Sequence, residues 1–175
     1  MSPVLDHGIT IGIKTRLRVI SLFILFIPVY FFIIGDFYGS GFQTPFFRYQ
    51  DVFLGSFLVI ISNDVYNVMT GFFQGTMVPA VLLWCLGTVF LVVNMVLLLV
   101  DPSPINRITR RNGVLIIIAG IFFLASIIVH YGPLFSNPTG FAVPIGLPLI
   151  FLIGVWMYRW VENGVKTVTG KPPVQ

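Results

Sequence analysis

The sequence predicts an all-α integral membrane fold, a four-transmembrane-helix bundle with a long first extracytoplasmic loop. Three observations predict it. Hydrophobic residues make up 57% of the 175 residues and charged residues only 9%, against about 25% charged in soluble domains; mean hydropathy is +0.97. So few charges cannot cover a water-soluble globule, which argues against a soluble enzyme, a disordered regulator or a nucleic-acid binder. Four apolar stretches approach the roughly 20 residues that a helix needs to cross a bilayer core. The basic residues, finally, alternate with those stretches as the positive-inside rule requires.

Span one is expected over 17–35, with Pro28 inside it and Arg18 near enough to its start to snorkel into the headgroups. Its apolar run, Val19 to Ile34, is longer than the core of a cleavable signal, so a retained anchor is expected. Span two, 78–100, is the cleanest: Pro79 falls in the first turn, where a missing N–H costs little, and Asp101-Pro102 closes it. Span three covers 113–131 and span four 143–161. Residues 101–112 are then a cytoplasmic loop, and 167–175, with Pro172-Pro173, a disordered tail.

Charge sets the direction. Lys14, Arg16 and Arg18 precede span one; Arg107, Arg110 and Arg111 separate spans two and three; Arg159, Lys166 and Lys171 mark the end of span four. Arg48 alone of the ten basic residues lies in the segment after span one. Both termini are therefore expected in the cytoplasm, with the protein in a cell membrane. The pI near 9.5 reflects this topology and implies no nucleic-acid partner.

The outer loop 36–77 opens with Phe37, Tyr38, Phe42, Phe46, Phe47 and Tyr49, an interfacial aromatic belt. Its second half, 52–73, holds an apolar run too short to span. There β-prone residues flank Ser62-Asn63-Asp64, so 57–61 and 65–69 read as a short β-hairpin, with an interfacial helix as the alternative. In topology this resembles the claudin and peripheral-myelin-protein group, four-span proteins with a long, partly β first outer loop. That group's Trp…Gly-Leu-Trp…Cys…Cys pattern is absent, since 36–77 holds no tryptophan and no cysteine. The resemblance therefore implies no residue role and no activity.

Membrane transporters and intramembrane enzymes keep ionisable groups at bilayer depth because those groups do the work. None occurs in 19–34, 78–100, 114–129 or 143–158. Motifs for hydrolases, zinc proteases and phosphate loops are absent. The lone Cys85 is expected to be inert, His130 to be a passive interfacial residue, and Asp36, Asp51 and Asp64 to be solvated. No catalytic, cofactor-binding or metal-ligating residue is expected. The residues singled out are packing candidates: Asn94 as a hydrogen-bonding link between helices, and Gly113, Gly120, Ser126, Gly146 and Gly154 as small residues admitting close helix approach. Arg18, Arg107, Arg110, Arg111, Trp156 and Trp160 are expected as interface anchors.

The functional expectation is a non-enzymatic membrane protein acting through contacts, an accessory or self-associating subunit. Its partners are the lipid bilayer and either another membrane protein or a second copy. Two alternatives stand beside it. A small oligomeric transporter or channel would draw on Asn94, Ser21, Thr88 and Ser126; an enzyme at the lipid interface would use the outer aspartates with His130, or the 107–111 loop.

Overall fold

The computed structural model describes residues 15–35, 38–100, 105–138 and 140–168, the last eight and 105–106 by backbone alone. In chain order these form α1 (15–24), β1 (Tyr30–Ile34), β2 (Gly39–Gln43), β3 (Phe47–Val52), β4 (Gly55–Ile60) and α2 (Ile61–Met69). Then follow α3 (Met77–Val100), α4 (Ile105–Tyr131), β5 (Ser136–Asn137), β6 (Gly140–Val143) and α5 (Leu147–Val168). The strands make one antiparallel six-stranded sheet in the order β4-β3-β2-β1-β6-β5.

The architecture is mixed α/β, which overturns the all-α four-helix bundle and the four-span reading built on it. Two described helices are long and apolar enough to cross a membrane, Met77–Val100 and Arg107–Tyr131. The first lies where span two was expected. Span three proves longer than read, because 105–112, expected as a loop, is the first part of α4. Of span four, Val143 ends β6 and helix begins only at Leu147, so its apolar part, Leu147–Trp160, is a shorter helix. The expected tail, 167–175, begins inside α5 and from residue 169 lies outside the described residues.

Span one fails for a definite reason. Of the expected span 17–35, only 17–24 is helical, about 12 Å against the roughly 30 Å of a bilayer core. The chain then tightens through Leu25 N–H to Leu22 O and Phe26 N–H to Phe23 O before Pro28, which has no N–H to continue a helix. Beyond it, Tyr30–Ile34 are aromatic or β-branched, and both strand edges find partners: β2 on one side, β6 on the other. The ladder extends past the strand, Val29 donating to Gln43 O and accepting from Gly146 N–H.

The hairpin in 52–73 is displaced. Strands β3 and β4 pair from Phe47↔Ile60 to Val52↔Gly55, turning at Phe53-Leu54 with Gly55 at φ +122°. Ser62-Asn63-Asp64 is no turn but the first part of α2, and 65–69 continues that helix. The expected interfacial-helix alternative holds for 61–69 as secondary structure only.

One face of the sheet packs on the helices. Tyr30 and Phe32 of β1 point inward among buried Trp84 of α3 and Phe123, Ile127 and Tyr131 of α4. Gly41 faces Phe32 across the ladder, and a Cβ there would lie 2.7 Å from the Phe32 ring, so glycine makes room for it. The opposite face carries a transverse apolar row, Val143–Phe31–Phe42–Tyr49–Leu58, running over five strands in register. Phe42 stacks on Tyr49 at 5.6 Å. Below the sheet, α5 crosses α4 backbone to backbone: a Cβ on Gly113 would lie 2.6 Å from Gly154 O.

Candidate functional site

Between the inner face of the sheet, α2 and the facing ends of α3 and α4 lies a partly open cleft of about 290 Å³. This is at the small end of ligand pockets. Its walls differ in character. The α3 side is apolar, with Met77, Ala80, Val81 and Trp84; Ile61 and Phe73 continue that surface. The sheet side is polar, because register places Gln43 between Tyr30 and Arg48 on adjacent strands, all facing inward.

That polar row is held by its own hydrogen bonds. Tyr30 Oη donates to Gln43 Oε1 at 2.6 Å. Burial, and after it the nearby Tyr131, push the Tyr30 hydroxyl well above its ordinary pKa, so it remains a neutral donor. Arg48 Nη2 donates to Asp64 Oδ1 at 3.0 Å. Asp64 is buried and Arg48 partly so. Burial pushes the Asp64 carboxyl above its ordinary pKa, and the Arg48 guanidinium offsets this only in part. The Nε–H of Arg48 is buried without a hydrogen-bond partner among the described residues.

The floor of the cleft is aromatic. Tyr30 meets Trp84 edge-on at 5.5 Å and Tyr131 at 6.1 Å, and His130 packs on Tyr131 at 4.4 Å. Trp84 Nε1–H and Thr88 Oγ1–H both donate to Pro45 O, at 3.2 and 2.8 Å, pinning the β2–β3 turn onto α3. Asn137 Nδ2 donates to His130 O at 2.6 Å, tying β5 to the end of α4.

Of the packing and anchor candidates, Ser126 alone lines this cleft, its hydroxyl committed to Ala80 O at 2.7 Å; His130 and Asp64, named for the interface-enzyme alternative, line it too. The others stand elsewhere. Asn94 is buried and donates to Ser21 Oγ at 3.3 Å, joining α3 to α1. Gly113 and Gly154 meet at the α4–α5 crossing, Gly120 faces Phe151, and Gly146 backs onto Pro28 O. Arg18 Nε donates to Leu98 O at 3.3 Å. Arg110 stacks on Tyr158, 5.0 Å from ring centroid to guanidinium carbon, and donates to its hydroxyl at 3.0 Å. Arg107 is exposed, Arg111 half-buried, and Trp156 stacks on Trp160 at 5.1 Å.

Among the aspartates, Asp64 goes to Arg48 and Asp51 accepts from Ser56 Oγ at 2.8 Å; Asp36 lies outside the described residues. Sequence reasoning passed over Tyr30, Gln43, Trp84 and the site role of Arg48, and it read Asp64 as solvated, whereas Asp64 is buried against Arg48. One signal was present: Arg48 is the only basic residue of 36–77, set among aromatic and apolar neighbours.

No protein-family model matches the chain, and comparison with curated proteins and with solved structures finds nothing similar. The site is therefore read from its own geometry.

Proposed function

We propose that this protein is embedded in a membrane by α3 and α4 and acts through binding contacts rather than through bond-making chemistry. The observation that carries this is the composition of the exposed helix surfaces. Every exposed residue of α3 is apolar, Leu82, Leu86, Val89, Val93 and Val96 through its middle. Between 112 and 131 the exposed residues of α4 are Val114, Ile121 and Ile128. Only 33% and 39% of the two apolar windows are buried inside the protein. A core helix of a soluble protein of that hydropathy would be mostly covered; these helices present to their surroundings what lipid solvates and water does not.

The charge distribution supports an orientation. Arg18, Arg110 and Arg159 gather where α3 ends and α4 begins, whereas the sheet end carries Arg48, already paired with Asp64. By the positive-inside rule the sheet faces away from the cytoplasm. Binding is favoured over catalysis because two of the cleft's reactive groups are engaged with the protein itself, Asp64 with Arg48 and Ser126 with the Ala80 carbonyl.

Alkaline carbonate washing of membranes from expressing cells tests the embedding. The full chain is expected to stay in the pellet and to need detergent for release. Recovery as a monodisperse, detergent-free species in the wash refutes the reading. As a second measure, Val89→Asp sets a carboxylate on the exposed mid-face of α3, at about 2.5–3.5 kcal/mol of insertion cost. It is expected to reduce the membrane-inserted fraction severely; unchanged insertion counts equally against the proposal.

A further inference from the structure

We propose that the cleft under the sheet binds an amphiphile whose anionic group, a phosphate or a carboxylate, sits against Arg48 while its apolar stem lies along the α3 wall. This deepens the binding reading above and rests on it for the source of the ligand, not for the recognition itself.

Three features point there. The first is the guanidinium itself. Arg48 lines the cleft with its side chain 22% exposed while Nη2 is spent on Asp64, so part of its planar donor fork is open to the cleft. Guanidinium groups satisfy such donors best with an oxyanion, whose two oxygens match the planar fork.

The second feature is the division of the walls. Gln43 and Gln50 flank Arg48 on the sheet side; Met77, Val81 and Trp84 make an apolar wall on α3; and Asp64 of α2 with Ser126 and His130 of α4 add polar groups beside it. A free inorganic anion has no use for that apolar surface, and a hydrocarbon none for the half-buried guanidinium. A molecule with one end of each kind uses both.

The third is size and position. About 290 Å³ holds one headgroup with a short stretch of chain, not a whole two-chain lipid. Phe72 and Met69, close by in sequence, are among the most exposed apolar residues of the chain, at 76% and 81%. They leave the approach to the cleft greasy, so the remainder of an acyl chain need not enter water.

Purified full-length protein in a non-ionic detergent provides the test. With Trp156→Phe and Trp160→Phe, Trp84 becomes the sole tryptophan and its emission reports cleft occupancy. Dodecyl phosphate and decanoate are expected to give saturable changes. Decanol and a dodecyltrimethylammonium salt are expected to bind at least about tenfold more weakly, since neither supplies the anion. Inorganic phosphate separates the sources: binding about tenfold weaker than dodecyl phosphate supports an amphiphile, and equal binding overturns it in favour of a free anion. Arg48→Gln is expected to weaken dodecyl phosphate at least tenfold. Because that change leaves Asp64 buried and unpaired, the double variant R48Q/D64N is measured beside it. A folded double variant that binds dodecyl phosphate as the parent does overturns the proposal, as does a parent that prefers the cationic amphiphile. These measurements do not depend on the carbonate result. A chain released by carbonate that still binds the anionic probes refutes the embedding and leaves the recognition standing.

Discussion

The α4–α5 crossing offers a graded test of how closely two helix backbones are held. Gly113→Ala adds one methyl group whose carbon would lie 2.6 Å from Gly154 O and 2.7 Å from Tyr158 N. Both are backbone atoms and cannot rotate aside, so the helices must separate by a fraction of an ångström. Overpacking of this kind costs about 1–3 kcal/mol, and contacts along the rest of the crossing weaken with it. Alanine recovers up to about 1 kcal/mol over glycine in helix propensity. The net expectation for G113A is a loss of about 1–2 kcal/mol. Gly120 supplies the control on the same helix. There the added carbon would meet the Phe151 ring edge at 3.0 and 3.1 Å and Ile150 Cγ2 at 3.3 Å, all side-chain atoms able to shift. Clash and propensity then nearly cancel, and G120A should lie within about 0.5 kcal/mol of the parent. Reversible unfolding by denaturing detergent, followed through the stacked Trp156–Trp160 pair, gives both values. A G113A variant as stable as the parent, or a G120A variant weaker than G113A, refutes the account of the crossing.

Other expectations follow from the cleft and the interior. Arg48→Ala strands the buried Asp64 carboxylate and should destabilise by about 2–4 kcal/mol, while Arg48→Met with Asp64→Leu should cost distinctly less; thermal unfolding of the three proteins compares them. The raised pKa of Asp64 fixes a sign with pH. Its stabilising contribution is whole below the unfolded carboxyl value of about 3.9 and is lost as pH rises through the higher folded pKa. The melting temperature of the parent relative to Asp64→Asn should therefore fall from pH 4 toward neutrality; a rise would mean that Arg48 outweighs burial. Trp84→Phe and Thr88→Val each remove one donor from Pro45 O. Each should cost about 1 kcal/mol and the pair more than the sum, because only the double change leaves that buried carbonyl unpaired; a double-mutant cycle measures the coupling.

The long helices were legible in the sequence because nothing interrupts them. From Val78 to Val100 no group demands water, and Pro79 sits where a helix tolerates it. The sheet was not legible, and β1 shows why. Its inward residues, Tyr30, Phe32 and Ile34, are apolar, and so are its outward ones, Phe31 and Ile33, so no alternation marks a strand. Composition alone gives Val19 to Ile34 the look of a span; its partners at 39–43 and 140–143 decide otherwise. The hairpin was displaced because its real turn, Phe53-Leu54, carries two exposed apolar residues, at 95% and 85%, where polar turn formers are expected. The site stayed hidden for a related reason. Arg48 and Asp64 lie on a strand and a helix sixteen positions apart, and no periodicity joins a strand to a helix; only the β3–β4–α2 path brings them to 3.0 Å.

The strand order has a consequence for how the chain is made. Strands β1 to β4 are consecutive and can zip together as soon as they emerge, but the other edge of β1 waits for β6, with Phe31 meeting Val143 only after α3 and α4 have been synthesised. Throughout that interval one row of amides and carbonyls on Tyr30–Ile34 stands open to any foreign strand. The nascent protein is thus most open to mispairing while its two longest helices are being made, before the β6 partner exists.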